Sequence, residues 1–164
     1  MKATEIERKF PVRDNSWRAC ADDDPHVLQQ AYLGRCDQSS IRVRLINGRS
    51  ARLTIKFRMR GLAKEECEYE IPVEEARDLP LRAPGNVIEK TRYRVLHDRR
   101  NWDVDVFAGA YAGLTLAEIE MESEDERPSL PQGLGREVRG KKRYSNRAMA
   151  AALRKAPAAQ GAAG

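Results

Sequence analysis

The chain has 164 residues, which fits one domain with a real core. Its 30 Lys and Arg against 25 Asp and Glu give a net charge of +5, which suits an anionic partner without choosing among nucleotide, polyphosphate and nucleic acid. Two histidines, three widely spaced cysteines and the absence of a glycine-rich phosphate loop argue against a disulfide framework, a histidine-rich metal site and the usual P-loop and dinucleotide folds.

Short alternating segments dominate the first half of the chain. Residues 14–20 are predicted as a short helix or loop, and residues 74–81 as one short helix. Asn47-Gly48 is typical of a type I′ turn and predicts a hairpin. Five segments alternate between polar and apolar residues and are predicted as strands: 3–12, 27–34, 40–46, 51–59 and 65–73.

The second half continues this pattern up to a closing helix predicted at residues 146–155. Residues 125–135 are irregular, and the Ala/Gly-rich tail 156–164 is predicted to be disordered. A single domain is therefore expected over residues 1–155. Four more segments are predicted as strands: 87–96, 101–107, 114–123 and 138–144.

The first predicted strand carries Glu5, Glu7 and Lys9 at every second position, so all three side chains point to one face. The two carboxylates repel each other unless a cation lies between them. Hard divalent cations such as Mg²⁺ bind carboxylate oxygens and keep positions open for phosphate. The row therefore indicates a metal site, with the lysine beside it for a phosphate group.

Charges along the later strands are sorted by sign. Like charges adjacent on a sheet face cost up to ~1 kcal/mol per pair, and surfaces that favour solubility mix both signs. A solvated face is the alternative reading for any one strand, but the sorting favours rows that face a shared interior. The basic rows are Arg42/Arg44, Lys56/Arg58 and Lys90/Arg92/Arg94, and the acidic rows are Glu66/Glu68/Glu70, Asp103/Asp105 and Glu118/Glu120/Glu122.

About eight or nine strands with tight turns predict a single antiparallel sheet, closed or nearly closed. With the charged rows inside, the lumen suits a small, densely charged anion together with metal ions, because unpaired buried charge is costly. The apolar rows then face outward and need helices, loops or a second subunit to cover them. These rows are Ile41/Val43/Leu45, Leu53/Ile55/Phe57, Val104/Val106 and Ile119/Met121.

The segment Glu5-Ile6-Glu7-Arg8-Lys9-Phe10 is similar to the E-x-E-x-K signature of the CYTH superfamily, the triphosphate tunnel metalloenzymes. The chain resembles the short bacterial inorganic triphosphatases of that family most closely. The basic segment at 139–142 and the lack of a Trp near Gly133 depart from the family pattern. The similarity continues in order through residues 30–33, 42–44, 53–56, 68–72, 90–93, 102–107, 117–120 and 143–146.

The resemblance implies an α+β fold, mainly antiparallel β, with an eight-stranded closed tunnel barrel and a few short covering helices. It implies hydrolysis of a triphosphate, most closely inorganic tripolyphosphate, to pyrophosphate and phosphate with Mg²⁺ or Mn²⁺. The implied metal ligands are Glu5, Glu7, Asp105, Glu118 and Glu120, with Glu5, Glu7, Lys9 and Glu120 as catalytic residues. The implied triphosphate ligands are Lys9, Arg42, Arg44, Lys56, Arg58, Lys90, Arg92, Arg94 and Lys142.

Rival functions stay open at this point. A class IV-type adenylate cyclase, or a thiamine or nucleoside triphosphatase, would use the same cage, and a polyphosphate-binding module would keep it without turnover. A nucleic acid partner is disfavoured, since the cations lie in strand rows and not in an aromatic-rich surface cluster. The chain begins without a signal peptide and contains no membrane-spanning run, so we expect a cytoplasmic protein, with a homodimer as one way to cover its outer faces.

Overall fold

A computed structural model of the protein describes residues 2–35, 38–58, 64–85, 87–138 and 140–152. The tail at 156–164, predicted to be disordered, lies outside these ranges. Within them, no helix has the length and apolar character needed to cross a bilayer.

Nine strands form one antiparallel sheet within the described ranges. Their order across the sheet is β1-β6-β5-β4-β3-β7-β8-β9-β2. The strands are β1 (Lys2–Glu5), β2 (Glu7–Pro11), β3 (His26–Arg35), β4 (Ser39–Ile46), β5 (Ser50–Arg58), β6 (Lys64–Glu70), β7 (Ile88–His97), β8 (Arg100–Phe107) and β9 (Thr115–Glu120). The helices are α1 (Val73–Asp78) and α2 (Asn146–Ala152), with 3₁₀ turns at Ser16–Cys20, Leu79–Arg82, Gly109–Tyr111 and Lys142–Tyr144.

The sheet closes through its first segment. β1 pairs with β6, with Glu5 opposite Lys64, while β2 pairs with β9, with Glu7 opposite Glu120. Since β1 and β2 are separated by only one residue, the two ends of the strand order meet, and the result is a nearly closed barrel. The strand predicted at 3–12 is thus split at Ile6, whose carbonyl accepts a hydrogen bond from the Met121 amide (2.7 Å). This split explains why nine strands are counted where eight were expected.

The strand predicted at 138–144 is wrong. In the described part of this segment, Gly140 has a positive φ of 76° and Lys142–Tyr144 form a 3₁₀ turn. Val138 donates its amide to the Lys9 carbonyl (2.9 Å) and Gly135 donates to Pro11 (2.7 Å). The segment therefore runs along the edge of β2 opposite to the one that pairs with β9.

Turn chemistry matches the sequence where the hairpins were expected. Asn47 and Gly48 both have positive φ (51° and 64°), as a type I′ turn requires. The β7–β8 turn uses the same conformation at Asp98 and Arg99 (47° and 59°), although neither is a glycine. β6 ends at Glu70, two residues before Pro72, so the strand predicted to 73 is shorter.

Apolar side chains on the outside of the barrel form two covered clusters. In the first, Val104, Ile119 and Met121 pack with Trp17 of the first 3₁₀ turn and with Trp102. In the second, the apolar outer face of β4 and β5 packs beneath α1. Val43, Ala51, Ala76, Leu45 and Leu53 belong to this second cluster.

A third cluster lies at one end of the barrel. Ile88, Phe107 and Leu116 occupy the same strand faces as the charged rows, and Met149 and Ala150 of α2 pack against them. Because apolar side chains replace charged ones at this end, α2 packs against it. The residues just before α2, such as Lys141 and Tyr144, therefore line the cavity.

Candidate functional site

A cavity of about 1780 Å³ occupies the lumen. A further cavity of about 460 Å³ adjoins it, shares several of its lining residues, and opens beside Asp22, Asp24 and His26. Eleven of the sequence-predicted site residues line the larger cavity: Glu5, Glu7, Lys9, Arg42, Arg44, Lys56, Arg58, Arg92, Arg94, Glu118 and Glu120. Lys90 and Asp105 do not line it, and the side chain of Lys142 lies outside the described part of the chain.

One wall of the lumen is acidic because β2 and β9 lie side by side. Their register places Glu7 opposite Glu120, and Lys9 opposite Glu118. Partial burial, followed by repulsion from Glu5 and other nearby carboxylates, raises the pKa of Glu120 above its ordinary value. The carboxylate of Glu120 forms no ion pair with any described residue. The wall therefore concentrates negative charge that its own side chains do not balance.

β1 and β6 extend this acidic wall, and lysine side chains lie between its other carboxylates. Lys56 Nζ lies 2.7 Å from Glu5 Oε2 and 2.8 Å from Glu66 Oε2, and Lys64 Nζ lies 3.0 Å from Glu7 Oε1. Burial alone would lower the pKa of Lys56, but attraction to Glu5 and Glu66, together with the hydrogen bond to Glu5, raises that pKa. With these ammonium groups in place, no three acidic, histidine or cysteine side chains of the described residues converge as a preformed metal site.

Lys9 ties the acidic wall to the barrel mouth. Its ammonium lies 2.8 Å from Glu118 Oε1 and donates to the Tyr144 carbonyl (3.4 Å). Burial would lower its pKa, but Glu118 and Glu7 together raise it above the ordinary lysine value. Lys9 is therefore fully protonated at neutral pH and stands at the junction of the lumen and the segment before α2.

A buried charge network adjoins the lumen: Arg92 lines the cavity, whereas Lys90 and Asp105 do not. Asp105 is fully buried; its two oxygens accept from Arg92 Nε (2.7 Å) and Nη2 (2.8 Å), and one of them also accepts from Lys90. Burial opposes ionisation of Asp105, yet attraction to Lys90 and Arg92 prevails and lowers its pKa. Burial lowers the pKa of Lys90 to about 8 in spite of Asp105. Both carboxylate oxygens of Asp105 are thus engaged by cations of β7.

Arg92 is held by three carboxylates at once. Besides Asp105, it donates to Asp103 Oδ2 (2.7 Å) and Glu118 Oε2 (3.1 Å). Burial disfavours the charged guanidinium, but these acids raise its pKa well above the ordinary value. Arg92 therefore fixes the geometry of the acidic wall more than it offers free N–H groups to the lumen.

The opposite wall, on β4, is basic. Arg42 donates to Thr54 Oγ1 (3.0 Å) and lies 3.7 Å from Glu66. Arg44 has neither an ion pair nor a side-chain hydrogen bond to any described residue, and its Nε is enclosed without a partner. Burial, followed by repulsion from Arg42 and Arg92, lowers the pKa of Arg44 to about 10. An unbalanced guanidinium is costly to keep there, and an anion in the lumen would relieve that cost.

Some lumen residues were not assigned a role from the sequence. Glu66, a member of one acidic row, is ion-paired to Lys56 inside the lumen, and Arg52 and Lys64 also line it. The period-2 alternation of β5 and β6 carries the signal for all three, since they share faces with Lys56 and Glu68. Lys141, Tyr144 and Arg147 line the mouth but belong to no strand, so no alternation could have found them.

The chain is similar to known proteins over nearly its whole length. The CYTH domain family matches residues 3–155 of the chain. An inorganic triphosphatase of Acetivibrio thermocellus is 38% identical over 143 residues, which covers 87% of this chain and 90% of that protein. An inorganic triphosphatase of Nitrosomonas europaea is 37% identical over 156 residues, covering 92% of this chain and 99% of the relative.

Solved structures share the fold. The crystal structure of an inorganic triphosphatase superposes with a TM-score of 0.63 at 34% identity, covering 88% of this chain and 96% of that one. A Hippeastrum protein described as an adenylyl cyclase with a dominant triphosphatase activity has a TM-score of 0.57 at 14% identity, covering 73% of this chain and 80% of its own. The second likeness concerns the fold alone.

Proposed function

This chain belongs to the CYTH domain family, and from that premise we propose that it hydrolyses inorganic tripolyphosphate inside the lumen. Water adds to a terminal phosphorus, the bond from that phosphorus to the bridging oxygen breaks, and pyrophosphate and orthophosphate leave. Phosphoryl transfer depends mainly on positioning and charge neutralisation, which a cage of fixed charges supplies.

The observation that carries this proposal is the unbalanced guanidinium of Arg44. It lies in a lumen that is wide enough for a small ligand, and no carboxylate among the described residues forms an ion pair with it. Arg42 beside it, with Lys56 and Arg58 on the next strand, extends the positive wall. Planar guanidinium groups match the paired oxygens of phosphate, so a linear polyphosphate fits this wall better than a carboxylate or a neutral ligand.

The acidic wall fits a divalent cation. Burial, followed by repulsion from Glu5, Asp103, Glu66 and Glu7, raises the pKa of Glu120, and a bound cation would offset both effects. Glu5, Glu7, Glu118 and Glu120 would hold Mg²⁺ or Mn²⁺, which neutralises charge on phosphate oxygens and lowers the pKa of a bound water. Both oxygens of Asp105 already accept hydrogen bonds from Lys90 and Arg92, so its proposed role is to hold those cations in place.

The lysines of the lumen have two possible partners. Lys9, Lys56 and Lys64 now pair with carboxylates of the acidic wall. When triphosphate enters, these ammonium groups turn to its oxygens and release the carboxylates for cation binding. The same side chains thus balance the acidic wall and bind the substrate, together with Arg42, Arg44, Arg58 and Arg94.

A substrate panel tests the proposal. Purified protein is incubated with tripolyphosphate, ATP, thiamine triphosphate and 5′-triphosphate RNA, each with Mg²⁺ or Mn²⁺, and the products are separated by ion-exchange chromatography. We expect the highest kcat/KM for tripolyphosphate, with equal amounts of pyrophosphate and orthophosphate. Formation of cyclic AMP from ATP, or tight binding of tripolyphosphate without turnover under either metal, would contradict it.

Two finer features accompany the proposal. We infer a cytoplasmic site of action, and a homodimer that covers part of the outer barrel surface. Ile41, Phe57 and Tyr69 on that surface are 36%, 42% and 51% exposed, which supports the second inference. Sedimentation at micromolar concentration distinguishes a dimer from a monomer.

A further inference from the structure

Gln30 lies in the middle of β3 and belongs to none of the charged rows. Its alternation partners on the strand are Leu28 and Tyr32, which line the two cavities, so the side chain is on the lumen side. It is fully buried, at 0% exposure. The strand register places it directly opposite Arg44 on β4 and Ile88 on β7.

The amide of Gln30 has no partner among the described residues. Neither its Nε2 nor its Oε1 forms a hydrogen bond, although both atoms are enclosed. A buried amide without partners is unfavourable, and a leucine or methionine would fill the same volume without that cost. The residue therefore carries a destabilising feature that packing does not explain.

Arg44 shows the same deficit next to it. Its Nε is enclosed and unpartnered, and its guanidinium has no acid partner within the described ranges. Side chains directly opposite on antiparallel strands have Cβ atoms about 4.5–5.5 Å apart, which lets a glutamine carbonyl reach an arginine Nε. A spare acceptor and a spare donor thus stand side by side.

Arg92 shows how a carboxylate partner would differ from the neutral amide of Gln30. Arg92 is fixed by Asp103, Asp105 and Glu118, and these carboxylates cancel its charge. A neutral amide oxygen can orient a guanidinium and leave its full charge for an anion. Such an acceptor is what an arginine needs if it is to bind phosphate and still keep a fixed direction.

We propose that Gln30 is a positioning residue for Arg44: its Oε1 accepts from the Arg44 Nε–H while the terminal N–H groups of Arg44 hold a phosphate group of the substrate. This inference rests on the proposed function, because it assumes a polyphosphate in the lumen. It adds a residue that touches no substrate and acts only through its neighbour.

The first test is Q30M, which removes the amide and keeps the length of the side chain. We expect the melting temperature of the free protein to stay the same or rise, because an unpartnered amide is lost. The dissociation constant for tripolyphosphate, measured by calorimetry in EDTA, should rise about tenfold, and KM should rise by a similar factor with a smaller change in kcat. A merely structural amide would instead lower the melting temperature and leave binding unchanged.

The second test is Q30E, which puts a charged acceptor in the same place. The new carboxylate should pair with Arg44 and raise the melting temperature, yet weaken tripolyphosphate binding more than Q30M does, since it cancels the charge. Combining Q30M with R44K, which has no Nε–H of this geometry, should add little to the loss caused by R44K alone. Full additivity would overturn the proposal.

Q29M serves as the matched control. Gln29 is the neighbouring residue, faces outward and donates to Glu89 (3.1 Å) at the surface, so its loss should not affect tripolyphosphate binding. If wild-type protein neither binds nor hydrolyses tripolyphosphate, the proposed function fails and this inference falls with it. If wild type binds normally and Q30M matches it, only the role of Gln30 is overturned.

Discussion

On two facing walls of the lumen, individual residues carry a charge that forms no ion pair with any described neighbour. Arg44 stands on the basic wall with its pKa lowered to about 10, and Glu120 stands on the acidic wall with its pKa raised. Both shifts mean that the folded state holds the charged form at a cost. Groups kept at such a cost are frequent in functional sites, because a ligand of the opposite sign relieves the strain. A metal ion with a polyphosphate would relieve both.

Replacement of Glu120 by Gln tests the acidic side. Because the folded pKa of Glu120 is above the unfolded one, ionised Glu120 destabilises the fold at neutral pH, and this penalty disappears as pH falls below about 4.5. E120Q should therefore be as stable as wild type or more stable at pH 7, with the difference vanishing in acid. Metal-dependent hydrolysis should fall by at least about 10²-fold, measured as kcat at saturating Mg²⁺.

The control for that variant is E122Q. Glu122 is exposed and lies two residues beyond Glu120, past the end of β9, so its loss should change neither activity nor stability. Full hydrolysis by E120Q at saturating metal would remove Glu120 from the proposed catalytic set.

At the scale of elements, the register between β7 and β8 determines which charged side chains lie opposite one another. β7 and β8 are neighbours, and their register places Arg92 opposite Asp105, Arg94 opposite Asp103 and Lys90 opposite Phe107. The register brings two cations onto one buried carboxylate, and the ring of Phe107 lies 5.5 Å from the Lys90 ammonium. The two strands therefore hold an ion-paired cluster of Lys90, Arg92 and Asp105, which fixes the position of Arg92 at the lumen.

Replacement of Asp105 by Asn breaks this unit. Lys90 and Arg92 would stay buried without their carboxylate, so we expect a loss of about 3–5 kcal/mol in the free energy of unfolding at pH 7. The loss should be smaller at pH 9, because the pKa of Lys90 is already lowered to about 8 and the lysine can release its proton. Urea titrations at the two pH values measure this difference.

D103N is the comparison on the same strand. Burial raises the pKa of Asp103, so its ionised form is not favoured by the fold, and its replacement should cost much less than that of Asp105. Equal costs for the two variants would show that β7 and β8 do not hold a special unit around Asp105.

For the whole molecule, the barrel reverses the usual distribution of polarity. Its apolar clusters lie outside the sheet, beneath α1 and the first 3₁₀ turn, and its interior holds opposed rows of charge. Stability must therefore depend on the ionisation of the interior more than in a barrel with an apolar core. The sealing of one end by α2 adds an apolar contribution that does not titrate.

Acid should change the free energy of unfolding in two stages, first raising it and then lowering it. Asp105, Glu118 and Glu68 have lowered pKa values, so their stabilisation is present above the unfolded values of 3.8 and 4.5 and is lost as pH falls through the folded ones. Glu120 and Asp103 have raised pKa values, mainly through burial and then through nearby carboxylates, so their protonation first removes a destabilising effect. The free energy of unfolding should thus peak on the acid side of neutrality and drop steeply below about pH 4. Urea titrations from pH 7 to pH 3 follow this curve, and a monotonic decline from pH 7 would contradict it.

Much of the fold and of the candidate site could be predicted from the sequence, because both follow from one local rule. Side chains alternate along a strand, so rows such as Glu5/Glu7 and Arg42/Arg44 had to share a face, and their sorting by sign placed them inside. The Asn47-Gly48 turn likewise follows from local backbone preferences. Nothing beyond the chain itself is needed for these features.

Only the tertiary structure decided which charges pair and which stay free. Lys90 belongs to the same row as Arg94, yet it is buried in an ion pair with Asp105. Arg44 forms no ion pair with a described residue, and the amide of Gln30 opposite it forms no hydrogen bond. The split of the first strand at Ile6 and the irregular path of residues 134–138 along β2 were equally invisible. Register and barrel closure depend on long-range pairings summed over the whole sheet, and no local pattern in the sequence encodes that sum.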